Sequence, residues 1–131
     1  MNNKIKHLEF IENVINRMAK NSFMLKGWAV TIVVGVIAIV AKQAVLLWLI
    51  TLLPIFVFWG LDAYYLALER EYRKLYDKVR ETKEEDIDFA MKVKVDFKST
   101  LKAFLSVSTA PFYGALIVGT IIIGIIVNTV G

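Results

Sequence analysis

Cysteine is absent from the 131 residues, histidine occurs once, at His7, and proline only twice. Without thiols there are no disulfides, thiolate zinc sites, iron–sulfur clusters or cysteine nucleophiles. A lone imidazole excludes a histidine-based metal cluster, so neither a metal nor a cofactor is expected. No glycine-rich phosphate loop, no HExxH and no nucleophile beside a plausible base occurs, and the chain does not read as an enzyme. His7, on a polar helix end, carries no specific signal. Charge is missing in long blocks: Gly27–Ala41, Ala44–Leu61 and Ala103–Gly131 contain none.

Apolar residues fill those blocks. They make up 57% of the chain, and the mean hydropathy is +0.58. Soluble domains stay near about 45–50%. A bilayer core about 30 Å thick requires about 20 consecutive apolar residues per helix. The expected class is therefore an all-α membrane protein with a single membrane domain and three transmembrane helices. The first 26 residues are too long and too charged for a cleavable signal, so the first span is expected to remain as an anchor.

The expected order starts with an amphipathic helix over residues 1–21, its stripe formed by Ile5, Leu8, Ile11, Ile15 and Met18. Asn21 and Ser22 make a weak break before a first span over 22–41. Lys42 and Gln43 form a tight turn into a second span over 44–66, with Pro54 expected to kink it. Trp28 and Trp48 lie near opposite ends of their spans as interfacial anchors. The second span is expected to continue as a long helix to Thr82, because Leu61, Tyr65, Leu68, Tyr72, Leu75 and Val79 follow a heptad seam. That continuation would pair with the amino-terminal helix as a cytoplasmic stalk, within a stalk-and-linker region of 67–110. Residues 84–97 are compatible with a hairpin edge, an irregular loop or a helix on the membrane. An amphipathic helix over 99–106 leads to a third span over 111–130.

Fifteen of the sixteen basic residues flank the spans on one side, Lys42 alone lying on the other. By the positive-inside rule that side is expected to be the cytoplasm, with the amino terminus inside and the carboxyl terminus outside.

Asp62 follows 18 uncharged residues and falls at the cytoplasmic boundary. A carboxylate within a membrane costs about 2.5–3.5 kcal/mol on insertion scales and takes a partner or a wet face. Lys26, at similar depth on the neighbouring helix, is the expected partner. Three readings stay open: a structural pair fixing the hairpin register, a pore-mouth or proton-sensitive charge, and a snorkelled group without a role. Arg70, Lys74 and Lys78 form a positive stripe, and with Arg73, Tyr65 and Tyr72 they are the candidate contacts for a cytoplasmic protein, a nucleotide or a nucleic acid. A solvated face and tyrosine packing are the plainer readings of the same residues. Thr31 with Gly35, Ala115 with Gly119 and Thr120 with Gly124 are small-residue pairs that let membrane helices approach closely.

The blocks Lys26-Gly27-Trp28-Ala29-Val30 and Phe58-Trp59-Gly60-Leu61-Asp62-Ala63-Tyr64-Tyr65-Leu66 continue through Glu69-Arg70 and Arg73-Lys74-Leu75-Tyr76-Asp77. They resemble a family of small bacterial inner-membrane proteins without an assigned activity. Several of these look like membrane effectors encoded beside phage-defence or mobile-element genes. The likeness runs from the amino-terminal helix to the end of the stalk and is weaker from Thr82 on. It singles out Lys26, Trp28, Trp59, Asp62, Tyr64, Tyr65 and Arg73, and supplies no chemistry to place on them. Three spans enclose no water-filled path alone, so a conducting form must be a homo-oligomer. The expectation is an oligomeric effector, pore-forming or membrane-perturbing and gated through its stalk; the alternative is a non-conducting scaffold that recruits a cytoplasmic partner.

Overall fold

Buried residues recur along the first helix at steps of four and seven, which keeps them on one face of an α-helix from end to end. The computed structural model describes residues 2–40 and 45–130, and among these every regular element is helical. Three helices are long and apolar enough to cross a membrane. Helix α1, Asn2–Val40, is unbroken. The expected interruption at Asn21 and Ser22 does not occur, because Ser22 lies in the buried face and donates its hydroxyl hydrogen to Asp62. Ile11 and Ile15 turn fully inward, and Leu8 and Met18 partly so. Ile5 falls off that face and stays half-exposed, contrary to the expected stripe.

Helix α2, Val45–Arg80, returns antiparallel to α1 and runs through Pro54 without interruption. At 1.5 Å per residue it is about 54 Å long, well beyond the thickness of a bilayer core. The expected turn at Lys42 and Gln43 lies outside the described residues. The helix stops two residues before the expected Thr82. There the Thr82 amide donates to the Val79 carbonyl at 3.0 Å and its hydroxyl donates to the Lys78 carbonyl at 2.7 Å.

Three apolar clusters follow one another along this hairpin. Ile11 and Ile15 meet Val79, with Tyr72, Leu75 and Tyr76 around them, at the polar end. Ala63, Leu66 and Ala67 meet Ala103 in the middle. Ala29, Val33 and Ile55 meet Tyr113 within the apolar blocks. The expected heptad seam thus holds from Tyr72 to Val79 but not at Leu61, which is 44% exposed. Below Tyr72, α2 contacts a second neighbour as well as α1, so Asp62, Ala63, Leu66 and Ala67 become the inward positions.

Of the three possibilities for residues 84–97, the irregular loop is found. A short 3-10 turn at Glu84–Asp86 leads into irregular chain up to Asp96. Helix α3, Phe97–Phe104, starts two residues earlier than expected because Asp96 caps it, its Oδ1 accepting from the Ser99 amide at 2.7 Å. Helix α4, Ala110–Val130, then packs on α2. Trp59 fastens this second layer. Its Nε1–H donates to the Phe104 carbonyl at 2.8 Å, and its ring stacks on Phe104 with centroids 3.9 Å apart. Thr109 Oγ1 lies 2.5 Å from the Ala103 carbonyl, a further partner for the open end of α3.

Among the described glycines, Gly124 alone has a neighbour where a side chain would be: a Cβ there would lie 3.2 Å from Trp48 Cε3. Gly35 and Gly119 face open space, and Thr31 and Ala115 are exposed. Gly124→Val should therefore cost about 1–3 kcal/mol through overpacking against the Trp48 ring. Gly35→Val should leave protomer stability within about 0.5 kcal/mol. Thermal unfolding in detergent separates the two.

The Ser99 amide, followed by the Ser99 side chain, holds the Asp96 carboxyl below its usual value of 3.8. A depressed pKa means that the cap contributes fully above pH 3.8 and is lost as pH falls through the lower, folded value. Hydrogen-exchange protection of residues 97–104 should decline in that acid window. Asp96→Ala should show lower protection that no longer changes there.

Candidate functional site

A carboxylate removed from water requires both a counter-charge and hydrogen-bond donors. Asp62 has them. Its side chain is 0% exposed, and its Oδ2 lies 2.6 Å from Nζ of Lys26, whose side chain is 18% exposed. Ser22 donates to Oδ1, and Lys26 Nζ is 3.1 Å from the Ser22 hydroxyl, so the three groups close a triangle. Helical spacing produces it: Ser22 and Lys26 are one turn apart on α1, and both face the one Asp62 position on α2.

From α4, Phe112 places its ring centroid 6.0 Å from Lys26 Nζ. The Tyr113 hydroxyl is buried within electrostatic reach of Asp62 but has no partner at hydrogen-bond geometry among the described residues. All three long helices therefore meet at one charge pair.

The stalk residues are more dispersed. Arg70 is exposed. Lys74 Nζ lies 3.2 Å from Glu71, Arg73 lies 3.6 Å from Glu69, and Arg80 lies 3.7 Å from Asp77. Within the expected stripe of Arg70, Lys74 and Lys78, Lys74 is paired with an acid, while the pairs of Arg73 and Arg80 lie beside it. Lys78 lines a small recess beside His7. Tyr72 is partly buried against the Ile11–Ile15–Val79 cluster, and Tyr65 lines a shallow apolar recess with Asn21, Met24, Leu25 and Trp28. What the stalk does assemble is a groove of about 390 Å³ between α1 and α2, lined by Glu12, Ile15, Asn16, Arg73, Tyr76 and Asp77. Arg73 is the one expected contact residue in it.

His7 differs most from its expected place. It is fully buried, with Nε2 donating to the Ala90 carbonyl at 2.8 Å and the ring 5.5 Å from that of Phe89. Phe89 has a φ of 55°, which a bulky residue adopts at a cost of about 1–3 kcal/mol. The only sequence signal was spacing: His7 is four residues before Ile11, which is four before Ile15. Glu84 Oε1 accepts from the Asn3 amide at 2.9 Å and Oε2 from that of Lys4 at 3.2 Å, so the loop after α2 caps the start of α1.

Among the described residues no group of three or more histidines and acids is placed to bind a metal ion. Comparison of the chain with protein-family models, curated proteins and solved structures returned no match.

Lys26→Met leaves Asp62 buried without its counter-charge and should cost about 3–5 kcal/mol. Asp62→Asn should cost less, since the Lys26 stem can carry its ammonium toward water. The double variant Lys26→Met/Asp62→Asn should be more stable than the sum of the two predicts. A double-mutant cycle of unfolding in lipid nanodiscs measures that coupling.

Proposed function

We propose that the chain is a non-enzymatic, oligomeric effector of a bacterial inner membrane. Its amino-terminal segment and stalk lie in the cytoplasm, where a signal received by the stalk is passed to the spans. The observation that carries this reading is mechanical. Both α1 and α2 run unbroken from the stalk groove, through the Ser22–Lys26–Asp62 triangle, into the membrane. A displacement of one stalk helix against the other acts directly on the charge pair. The one-sided distribution of basic residues supports the orientation. The defence-associated proteins that the Lys26–Val30 and Phe58–Leu66 blocks resemble supply a setting, response to phage.

The groove of Glu12, Asn16, Arg73, Tyr76 and Asp77 presents both signs of charge. That favours a protein segment as the stalk's partner over a nucleotide or oligonucleotide, which would want uncompensated cations. Such a partner would shift a closed–open equilibrium through its differential affinity for the two states. The exposed faces of Thr31, Gly35 and Ala115 are available for contacts between copies, and a conducting path would form at those contacts.

One observation favours the second reading, a membrane scaffold. Asp62 is satisfied inside its own protomer, so it faces no aqueous path there. Ion flux from liposomes containing the purified protein decides between the two. The effector reading expects conductance that Asp62→Asn raises and that Arg70→Ala/Lys74→Ala/Lys78→Ala alters. No flux from any of these, or a monomeric particle by mass in detergent, would leave the scaffold.

A further inference from the structure

Helix α3 is divided into three sectors, and only one of them is used inside the protein. Ala103 is fully buried against Ala63, Leu66 and Ala67, with Ser99 and Thr100 half-buried on the same side. Phe97, Leu101 and Leu105 recur one turn apart on a second sector and are 82%, 45% and 66% exposed, and Val107 just beyond is 91% exposed. Lys98 and Lys102 form the third sector, beside the apolar one, and both are exposed. The helix cannot roll to hide its apolar sector, because Trp59 and Thr109 bind its last carbonyls and the Trp59 ring stacks on Phe104.

From this arrangement we infer that α3 lies in the plane of the membrane surface, its Phe97–Leu101–Leu105 sector in the acyl boundary and Lys98 and Lys102 on the headgroup phosphates of anionic phospholipids. The reading rests on α4 crossing the membrane. The position follows from chain continuity: the turn Ser106–Thr109 joins α3 directly to the membrane-crossing α4, so α3 cannot leave the interface. Aromatic rings mark the same level, since Trp59 stacks on Phe104 and lies 5.9 Å from Tyr113, as in an interfacial belt. Charge points to an anionic surface. Lys92, Lys94, Lys98 and Lys102 are all exposed, and the one acid among them, Asp96, is engaged with the Ser99 amide. An in-plane helix with this division binds through buried apolar area plus attraction to anionic lipid.

The absence of cysteine allows single spin labels to be placed without background changes. Leu101→Cys, Leu105→Cys, Lys102→Cys and Ile122→Cys would be labelled in vesicles of phosphatidylcholine with one quarter phosphatidylglycerol. The labels at 101 and 105 should collide with oxygen rather than with a water-soluble nickel chelate, at a depth of about 5–10 Å. The label at 102 should meet the chelate. Chelate access at 101 and 105 would overturn the inference, as would exclusion of both reagents, which would mean a second copy covers the face. A water-exposed label at 122 would remove the membrane reading itself, which distinguishes the two failures. Spin-labelled phosphatidylglycerol should associate more than phosphatidylcholine by about fivefold for each lysine engaged. Lys98→Gln/Lys102→Gln should lower that preference by about fivefold for each lysine removed, and equal association of the two lipids with the unaltered chain, or an unchanged preference in the variant, would refute the headgroup contact.

Discussion

A carboxylate without water must be given its charge partner and its hydrogen bonds by the protein, and Asp62 imposes that requirement on everything around it. Its two oxygens take a lysine and a serine from the same helix, one turn apart. That fixes which face α1 turns to α2 and at what height. Sliding the hairpin by one turn would put Met18 or Val30 where Ser22 or Lys26 now meets Asp62, leaving the carboxylate with one of its two polar partners. Leucine against leucine in lipid discriminates poorly between registers, because the lipid is as apolar as the side chains. The charge pair provides the discrimination that apolar contact lacks.

Once that height is set, the rest of the hairpin follows. Ile11 and Ile15 reach Val79 above the pair, and Ala29 and Val33 reach Ile55 below it. The small side chains of Ala63 and Ala67 then leave room on the flank of α2 for α3, whose Ala103 matches them. Trp59 spans the remaining gap, joining α2 to α3 through both its ring and its N–H. The loop after α2 is tied back to the start of α1 by Glu84 and His7, so the stalk is closed at its far end as well as at its base.

Much of this was readable in the residues. Uncharged blocks marked the three long helices, the depth of Lys26 and Asp62 marked the pair, and a heptad pattern carried α2 past the membrane. The failures have a common origin. Asn21-Ser22 resembles a break only if its polarity needs solvent, and Ser22 instead found Asp62. Leu61 fits a seam drawn for two helices, whereas α2 packs against a second neighbour as well as α1 at that level. His7, on a polar helix end, carried no specific signal because the acceptor on Ala90 is 83 residues away in sequence. Small-residue spacing was least informative: Gly124 meets Trp48, while Gly35 meets nothing within the protomer.

On the proposed reading, the energy scale of the buried pair sets what a partner of the stalk would have to do. Taking one member away from the other costs about 3–5 kcal/mol. Driving a two-state equilibrium from one part in a hundred to near completion takes about 5.5 kcal/mol of differential binding. Exposed ion pairs such as those of Lys74 and Arg73 are each worth about 0–1 kcal/mol. A small anion resting on the positive residues of α2 would thus fall short of opening the hairpin. A segment filling the groove between α1 and α2 would bury Tyr76 and Ile15 together with Arg73 and Asp77, and could favour one helix spacing by enough. On the proposed reading, the same arithmetic makes a closed pair compatible with a signalling role: the pair would hold one state firmly, and a partner would have to engage both stalk helices to change it.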